Sequence, residues 1–208
     1  QNKALIGFAG APWTLACYMI QGFGDGRFEK AVVFMRERPE EFARLIDVLC
    51  ASVAQHLILQ IKNGADVVQI FDSWAGLLSG AEFDRWITAP TKTIVEKVKK
   101  ECPQAAIIGF PRRAGEKYSS YSRQTGVDAV SLDPSVDFSS IAPGICLQGN
   151  LDPDVLLAGG EALEKEAERI LAATRHRPFV FNLGHGIIKE TPPEHVAELV
   201  RIVRNFKK

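Results

Sequence analysis

A single histidine stands between two glycines directly after an apolar run, and this is the pattern in the chain that most clearly indicates chemistry. Residues 179–186 read Phe-Val-Phe-Asn-Leu-Gly-His-Gly, so His185 follows a predicted buried strand within a tight turn. Glycine lets the backbone turn sharply and approach a ligand, and histidine changes charge near neutral pH. His185 could therefore pair with a carboxylate when protonated or hold one hydrogen bond when neutral; stabilisation of the loop is the alternative interpretation.

Other apolar runs end in similar polar or glycine-rich segments. These segments are residues 7–10, 71–74, 109–112, 132–133 and 148–152. The carboxyl ends of parallel strands meet at one edge of a sheet, where α/β proteins place their ligands. The segments contain few acids and bases but several phenylalanines, which predicts a largely apolar small-molecule site with a few directional polar groups.

Helices must separate these strands, and the sequence predicts them. The longest begins at Pro39 and ends before Gly64, with an apolar stripe at helical spacing. The stripe consists of Phe42, Leu45, Ile46, Leu49, Val53, Leu57 and Ile61. Predicted strands cover residues 4–9, 65–71, 105–110, 127–132, 145–148 and 179–181. Further helices are predicted near residues 13–20, 82–100, 115–124, 163–171 and 196–203.

The alternation of strands and helices predicts an α/β fold with a parallel sheet and right-handed crossovers. An open doubly wound sheet and a barrel both fit this pattern. A complete (β/α)8 TIM barrel needs roughly 250 residues. About six β-α units in 208 residues, beginning with a strand, therefore favour a TIM barrel lacking its first strands. No linker interrupts the pattern, so we expect a single domain over residues 1–208 of a protein that begins before Gln1.

The composition is that of a soluble globular protein, with 46% hydrophobic and 24% charged residues and a formal net charge of zero. The absence of a basic block argues against a nucleic-acid partner. The chain has no apolar run of about 18 residues, so we expect no membrane span. The first residues do not show a signal-peptide pattern. The widely spaced cysteines favour reduced thiols and a cytoplasmic location; they are Cys17, Cys50, Cys102 and Cys146.

Four segments carry a resemblance to a known family. Residues 5–15 read Leu-Ile-Gly-Phe-Ala-Gly-Ala-Pro-Trp-Thr-Leu, with Tyr18 following, and residues 71–76 read Phe-Asp-Ser-Trp-Ala-Gly. Residues 148–153 read Gln-Gly-Asn-Leu-Asp-Pro, and residues 181–186 read Phe-Asn-Leu-Gly-His-Gly. In this order and spacing, over essentially the whole chain, the set resembles the uroporphyrinogen decarboxylase family, and it is far more specific than any one segment.

The resemblance implies a (β/α)8 barrel, normally a homodimer, that works without a cofactor or metal. It implies decarboxylation of the four acetate side chains of uroporphyrinogen III to give coproporphyrinogen III in tetrapyrrole and heme biosynthesis. It also implies an earlier segment with a Met-Arg-Gln-Ala-Gly-Arg type motif and a Phe-Ser-Asp type strand end, and neither motif occurs in this chain. We therefore expect the chain to be a C-terminal portion with little or no activity alone.

The resemblance assigns catalytic and substrate-binding roles to three polar residues. Tyr18 and Ser73 match a tyrosine and a serine that contact substrate carboxylates, and His185 matches the active-site histidine. Other interpretations are a helical tyrosine with its ring in the core and its hydroxyl at the edge, and a serine that caps the next helix. Phe8, Phe71 and Phe110 match positions that line the apolar cleft, although ordinary barrel core is nearly as good an interpretation.

Some alternatives stay open at this point. Arg112 and Arg113 follow a strand end, where they could bind a polycarboxylate or lie on the surface. A corrinoid- or folate-linked methyltransferase on the same barrel would bind zinc through a His-x-Cys pair, but His185 is followed by glycine and isoleucine. A non-catalytic fragment that associates through exposed strand edges is the other rival.

Overall fold

The computed structural model describes residues 3–24 and 26–206. The chain divides into two compact units, Gln1–Ala129 and Val130–Lys208. Each unit contains parallel strands that alternate with helices. The predicted α/β class is therefore confirmed, whereas the assignment of residues 1–208 to a single domain stays a prediction.

Over its described residues, the first unit contains three complete strands connected by helices. The strands are β1 (Ile6–Gly10), β2 (Val67–Asp72) and β3 (Ala106–Pro111). The helices are α1 (Pro12–Gln21), α2 (Glu29–Glu37), α3 (Pro39–Lys62), α4 (Gly80–Phe83), α5 (Ala89–Glu101) and α6 (Lys117–Thr125). Parallel pairing runs from β1 to β2 and from β2 to β3, with Gly10 beside Phe71 and Phe71 beside Phe110. Sequential order of this kind is what right-handed β-α-β units produce.

Helix α3 supplies much of the core of the first unit. Its predicted stripe is confirmed, because Phe42, Ile46, Leu49, Val53 and Leu57 are all buried. By length and composition, α3 is also the one helix among the described residues that could cross a membrane. In the most apolar 18-residue stretch of α3, 44% is buried inside the protein. Core helices of soluble proteins can have the same length and composition.

The second unit also alternates strands and helices. Its first strand is β4 (Ala129–Ser131), whose first residue is the last residue of the first unit. The remaining strands are β5 (Cys146–Leu151) and β6 (Phe179–Leu183), which pair in parallel. The helices are α7 (Pro153–Ala158), α8 (Gly160–Thr174) and α9 (Pro193–Asn205). Helix α7 was not predicted; it begins at a proline, and the Asp152 side chain caps it by accepting from the Asp154 N–H.

One predicted helix proves to be three consecutive segments. The sequence predicts a continuous helix near residues 82–100, but a π-helical turn, Asp84–Thr88, separates α4 from α5. Pro90 lies in the first turn of α5 and has no N–H to donate to a carbonyl in the preceding turn. A local change in the hydrogen-bond pattern at a proline is the usual result.

The expected burial of the first and last strands is wrong in part. Leu5, Ile6 and Phe8 are exposed in and beside β1, and Val180 is exposed in β6. Within their own units, the described residues give β1 a partner in β2 and β6 a partner in β5. Structure along one side only covers these strands incompletely, so several of their side chains remain open to solvent.

Candidate functional site

Three phenylalanines form a continuous row near the carboxyl ends of β1, β2 and β3. The rings of Phe8 and Phe71 meet edge to face with centroids 5.7 Å apart, and those of Phe71 and Phe110 with centroids 6.0 Å apart. Phe8 is 62% exposed whereas Phe110 is 4% exposed. The row therefore runs from solvent into the core: Phe110 belongs to the core, and the exposed end at Phe8 offers a flat apolar ligand a contact surface.

Helix α1 places Tyr18 beside this end of the sheet. The Ala11 N–H donates to the Phe71 carbonyl at 2.8 Å, which fixes the start of the helix against β2. Pro12 occupies the first turn, where its missing N–H has no effect. At the other end, Gly22 adopts a left-handed conformation and its N–H donates to the Tyr18 carbonyl at 2.9 Å.

The Tyr18 ring belongs to an aromatic cluster with Phe28 and Trp74. Its centroid lies 5.2 Å from that of Phe28 and 6.2 Å from that of Trp74, and those two rings are 4.7 Å apart. Tyr18 is 43% exposed, so its ring packs on the buried Phe28 while part of the side chain reaches solvent; both its functional role and the structural alternative stay predictions. Packing on one side and solvent on the other suit a ring whose hydroxyl meets a ligand.

Ser73 directly follows β2 and is partly buried. The alternative role of a helix cap does not appear, because the helical turn that follows, Ala75–Leu77, has no side-chain cap bond. Ser73 lies between Asp72, which is buried, and Trp74, which contacts Tyr18. The structure thus brings Ser73, Tyr18 and the phenylalanine row together in one region of the first unit.

A buried carboxyl lies immediately beneath this region. Asp72 is 1% exposed, and its Oδ1 accepts a hydrogen bond from Thr14 Oγ1 on α1 at 2.6 Å. Burial raises the pKa of Asp72 to about 7, although the hydrogen bonding from Thr14 acts in the opposite direction. Sequence analysis missed this pair; the available signal was an acid directly after an apolar strand and before Ser73.

The turn after β3 is fixed against the turn after β2. The Arg112 N–H donates to the Asp72 carbonyl at 3.1 Å, and the Gly76 N–H donates to the Arg112 carbonyl at 3.0 Å. A Cβ at Gly76 would lie 2.5 Å from the Arg113 Cβ, so only glycine allows this approach. Arg112 is partly buried and Arg113 exposed, and their role stays a prediction.

His185 belongs to the second unit, in the turn that follows β6. The Gly184 N–H donates to the Leu151 carbonyl at 2.8 Å, which holds this turn to the end of β5. A Cβ at Gly184 would lie 2.5 Å from Pro134 Cδ, and glycine is therefore required there as well. His185 is exposed, as a residue that meets a ligand must be.

A groove of about 450 Å³ lies between the end of β6 and helix α9 in the same unit. Its apolar lining includes Leu156, Phe181, Leu183, Ile187, Leu199 and Val203. Over residues 3–24 and 26–206, no three His, Cys, Asp or Glu side chains group together as metal ligands would. The four cysteines are free thiols.

Comparison with known proteins identifies the family. Residues 1–206 match the model of the uroporphyrinogen decarboxylase (URO-D) family, which is nearly the whole chain. The chain belongs to the uroporphyrinogen decarboxylase family. This family has the TIM-barrel fold, in agreement with the α/β class predicted from the alternating elements.

Curated members of the uroporphyrinogen decarboxylase family support this assignment. A protein named uroporphyrinogen decarboxylase from Granulibacter bethesdensis is 48% identical over 209 residues, covering 99% of this chain and 61% of the relative. A Chelativorans protein of the same name is 49% identical, covering 98% of this chain and 60% of the relative. The Rhodospirillum rubrum protein of that name is 45% identical, with the same coverage of 98% and 60%. The chain thus spans about three-fifths of the length of these relatives.

Proposed function

We propose that this chain is part of an enzyme that decarboxylates the four acetate side chains of uroporphyrinogen III to give coproporphyrinogen III. The observation that carries the proposal is family membership over nearly the whole chain. The site geometry supports it, because the Tyr18 ring and the phenylalanine pair lie beside the turn that carries Ser73, near the strand ends. A tetrapyrrole with acidic side arms has the matching chemistry, with flat apolar rings and peripheral carboxylates.

Each site residue has a role in this proposal. The rings of Phe8 and Phe71 contact the macrocycle, and the buried Phe110 supports the Phe71 ring from the core. The Tyr18 and Ser73 hydroxyls donate hydrogen bonds to carboxylate arms. His185 pairs with a further carboxylate or holds it by one hydrogen bond. These residues position the arms, and correct positioning alone accounts for a substantial part of many enzymatic rate enhancements.

The chemistry needs an electron sink, and the substrate itself can supply one. Protonation of a pyrrole ring at carbon makes the ring cationic, so that it can accept the electron pair of the breaking C–C bond as carbon dioxide leaves. A second proton then adds to the resulting exocyclic methylene carbon to form a methyl group, and loss of the first proton from the ring carbon restores the neutral pyrrole. A carboxylate near the pyrrole N–H groups would stabilise the cation, and we place that group in the segment that precedes this chain.

The test uses a completed chain, in which these 208 residues follow the preceding segment of the Granulibacter bethesdensis relative. We expect coproporphyrinogen formation from the completed chain and little or none from the 208 residues alone. Tyr18→Phe and Ser73→Ala should each lower kcat/KM about tenfold to a hundredfold, the usual cost of one hydrogen bond to a charged group.

A matched serine provides the control for this assay. Ser79 is exposed and makes no side-chain cap bond at the start of α4, so Ser79→Ala should keep the kcat/KM of the completed chain. Product formation by the completed chain that is unchanged in both Tyr18→Phe and Ser73→Ala would contradict the site assignment. A folded completed chain without any turnover would contradict the proposed function itself.

We also propose that the complete protein is a cytoplasmic homodimer that binds neither nucleic acid nor membranes. The zero net charge supports the absence of a nucleic-acid partner. Sedimentation equilibrium of the completed chain should give twice the mass of one chain, independent of concentration in the micromolar range. A monomeric mass together with full turnover would contradict the dimer.

A further inference from the structure

Two side chains in the first turn of α1, Trp13 and Thr14, form hydrogen bonds to the residues on either side of Ser73. Thr14 Oγ1 accepts a hydrogen bond from the Trp74 N–H at 3.2 Å while donating to Asp72 Oδ1 at 2.6 Å. Next to it, Trp13 Nε1 donates to the Trp74 carbonyl at 3.0 Å. Both polar backbone groups of Trp74 are therefore held by the first turn of α1.

Thr14 and Tyr18 lie on the same face of α1, because residues four apart in a helix are neighbours. Tyr18 contacts the Trp74 ring, and Thr14 binds the Trp74 backbone. Ser73 precedes Trp74 and follows Asp72. The Thr14 hydroxyl thus stands between the helix that carries Tyr18 and the two residues that flank Ser73.

Burial of the Asp72 carboxylate lowers the stability of the folded state. A buried carboxylate loses its hydration, and Thr14 on α1 is the hydrogen-bond partner that the structure gives its side chain. The titratable neighbours are the Cys17 thiol on α1 and the Tyr121 phenol on α6, and burial raises the pKa of each, so both are neutral. The acid is therefore held by the hydroxyl and the backbone N–H of Thr14 rather than by a cation, which gives the contact direction as well as strength.

We propose that Thr14 and Asp72 are positioning residues that fix the Tyr18 hydroxyl relative to the Ser73 hydroxyl. The inference rests on the proposed function, since these two hydroxyls are its carboxylate donors. The Trp74 N–H donates to the Thr14 hydroxyl, and that hydroxyl donates to the Asp72 carboxylate. Because the donors all point the same way, each bond polarises and strengthens the next.

Replacement of Thr14 tests the proposal in the completed chain defined above. Thr14→Val keeps the shape but removes the hydroxyl, and we expect kcat/KM to fall tenfold or more, whereas Thr14→Ser should restore it to within about threefold. Thr125 is the matched control, since it is a buried helical threonine whose Oγ1 donates only locally, to the Tyr121 carbonyl at 2.8 Å. Thr125→Val should keep the kcat/KM of the parent protein.

Coupling to Ser73 separates positioning from stability. If Thr14 acts through the Ser73 turn, Thr14→Val and Ser73→Ala combined should lose little more kcat/KM than the worse single variant. Multiplicative losses, or equal losses in Thr14→Val and Thr125→Val, would overturn the proposal. If Thr14→Val does not fold, Thr14→Ala removes the same hydroxyl with a better helix former and carries the same test.

Hydrogen exchange supplies a readout that does not depend on turnover. In the 208-residue chain, Thr14→Val should speed exchange of the Trp74 amide at least tenfold, because its acceptor is lost, and Thr125→Val should not. Unchanged exchange at Trp74 overturns the inference even if the parent protein is active. Faster exchange at Trp74 with an inactive completed chain upholds the structural link and places the failure in the proposed function.

Discussion

Replacing Trp13 with alanine is expected to lower the free energy of unfolding by about 3–5 kcal/mol, the range found for truncating a large buried aromatic side chain. Trp13 is fully buried, and its ring meets that of Phe42 on α3 with centroids 5.8 Å apart. Its Nε1 also donates to the Trp74 carbonyl at 3.0 Å, so truncation leaves that carbonyl without this donor. Both losses fall on the first turn of α1.

The measurement is urea unfolding followed by circular dichroism, which does not depend on the fluorophore that is removed. Domains of this size are stable by about 5–15 kcal/mol, so the midpoint for Trp13→Ala should fall steeply. Met19 lies on the same helix and is 63% exposed; Met19→Ala should change the free energy by no more than about 0.5 kcal/mol. Equal midpoints for the two variants would show that α1 does not pack through Trp13.

The second large effect is a dependence of stability on pH that comes from Asp72. The pKa of this carboxyl is about 7 in the folded protein, against an ordinary value of 3.8, and burial is the main cause. The folded state therefore binds the proton more tightly than the unfolded chain does. The contribution of Asp72 to stability is complete below about pH 4 and is lost as the pH rises to about 7, amounting to about 4 kcal/mol.

Comparing the pH dependence of the unfolding free energy in Asp72→Asn and Asp47→Asn separates the effect of Asp72 from other titrations. Asp72→Asn keeps an oxygen that can accept from Thr14 but cannot ionise, and so its unfolding free energy should lack this fall between about pH 4 and 7. Asp47→Asn removes an exposed carboxylate on α3 and should keep the parent slope. Chemical denaturation at closely spaced pH values gives both curves. Parallel curves for the parent protein and Asp72→Asn would contradict the assignment of the raised pKa to the buried Asp72 carboxyl.

Periodicity predicted the elements of the fold because burial of one face leaves a signal within a single segment. The stripe on α3 is such a signal, and Phe42, Val53 and Leu57 are buried as it indicates. Exposure of β1 was not predictable in the same way, because an apolar strand reads alike whether or not a neighbour covers its outer edge. The π-helical turn before Pro90 could not be predicted for another reason: it changes the backbone hydrogen bonds without interrupting the apolar pattern of the helix.

The candidate site was predictable where strand ends alone determine proximity. The rule that parallel strands end at one edge predicts that Phe71 and Phe110 are neighbours, and their rings are 6.0 Å apart. The bond between Thr14 and Asp72 joins residues 58 positions apart. No spacing rule connects a threonine in a helix with an acid at the end of a strand, so only the folded backbone reveals this contact.

The phenylalanine row has a consequence for any ligand that lies along it. Exposure falls from 62% at Phe8 to 4% at Phe110, so a macrocycle stacked on Phe8 would have one edge in water and the other edge next to the core. Charges interact far more strongly, and are solvated less well, where water is excluded. Chemically identical arms of a nearly symmetric ligand would thus differ in reactivity through their place on the row alone, and the macrocycle would have to rotate for each arm to reach the same dielectric.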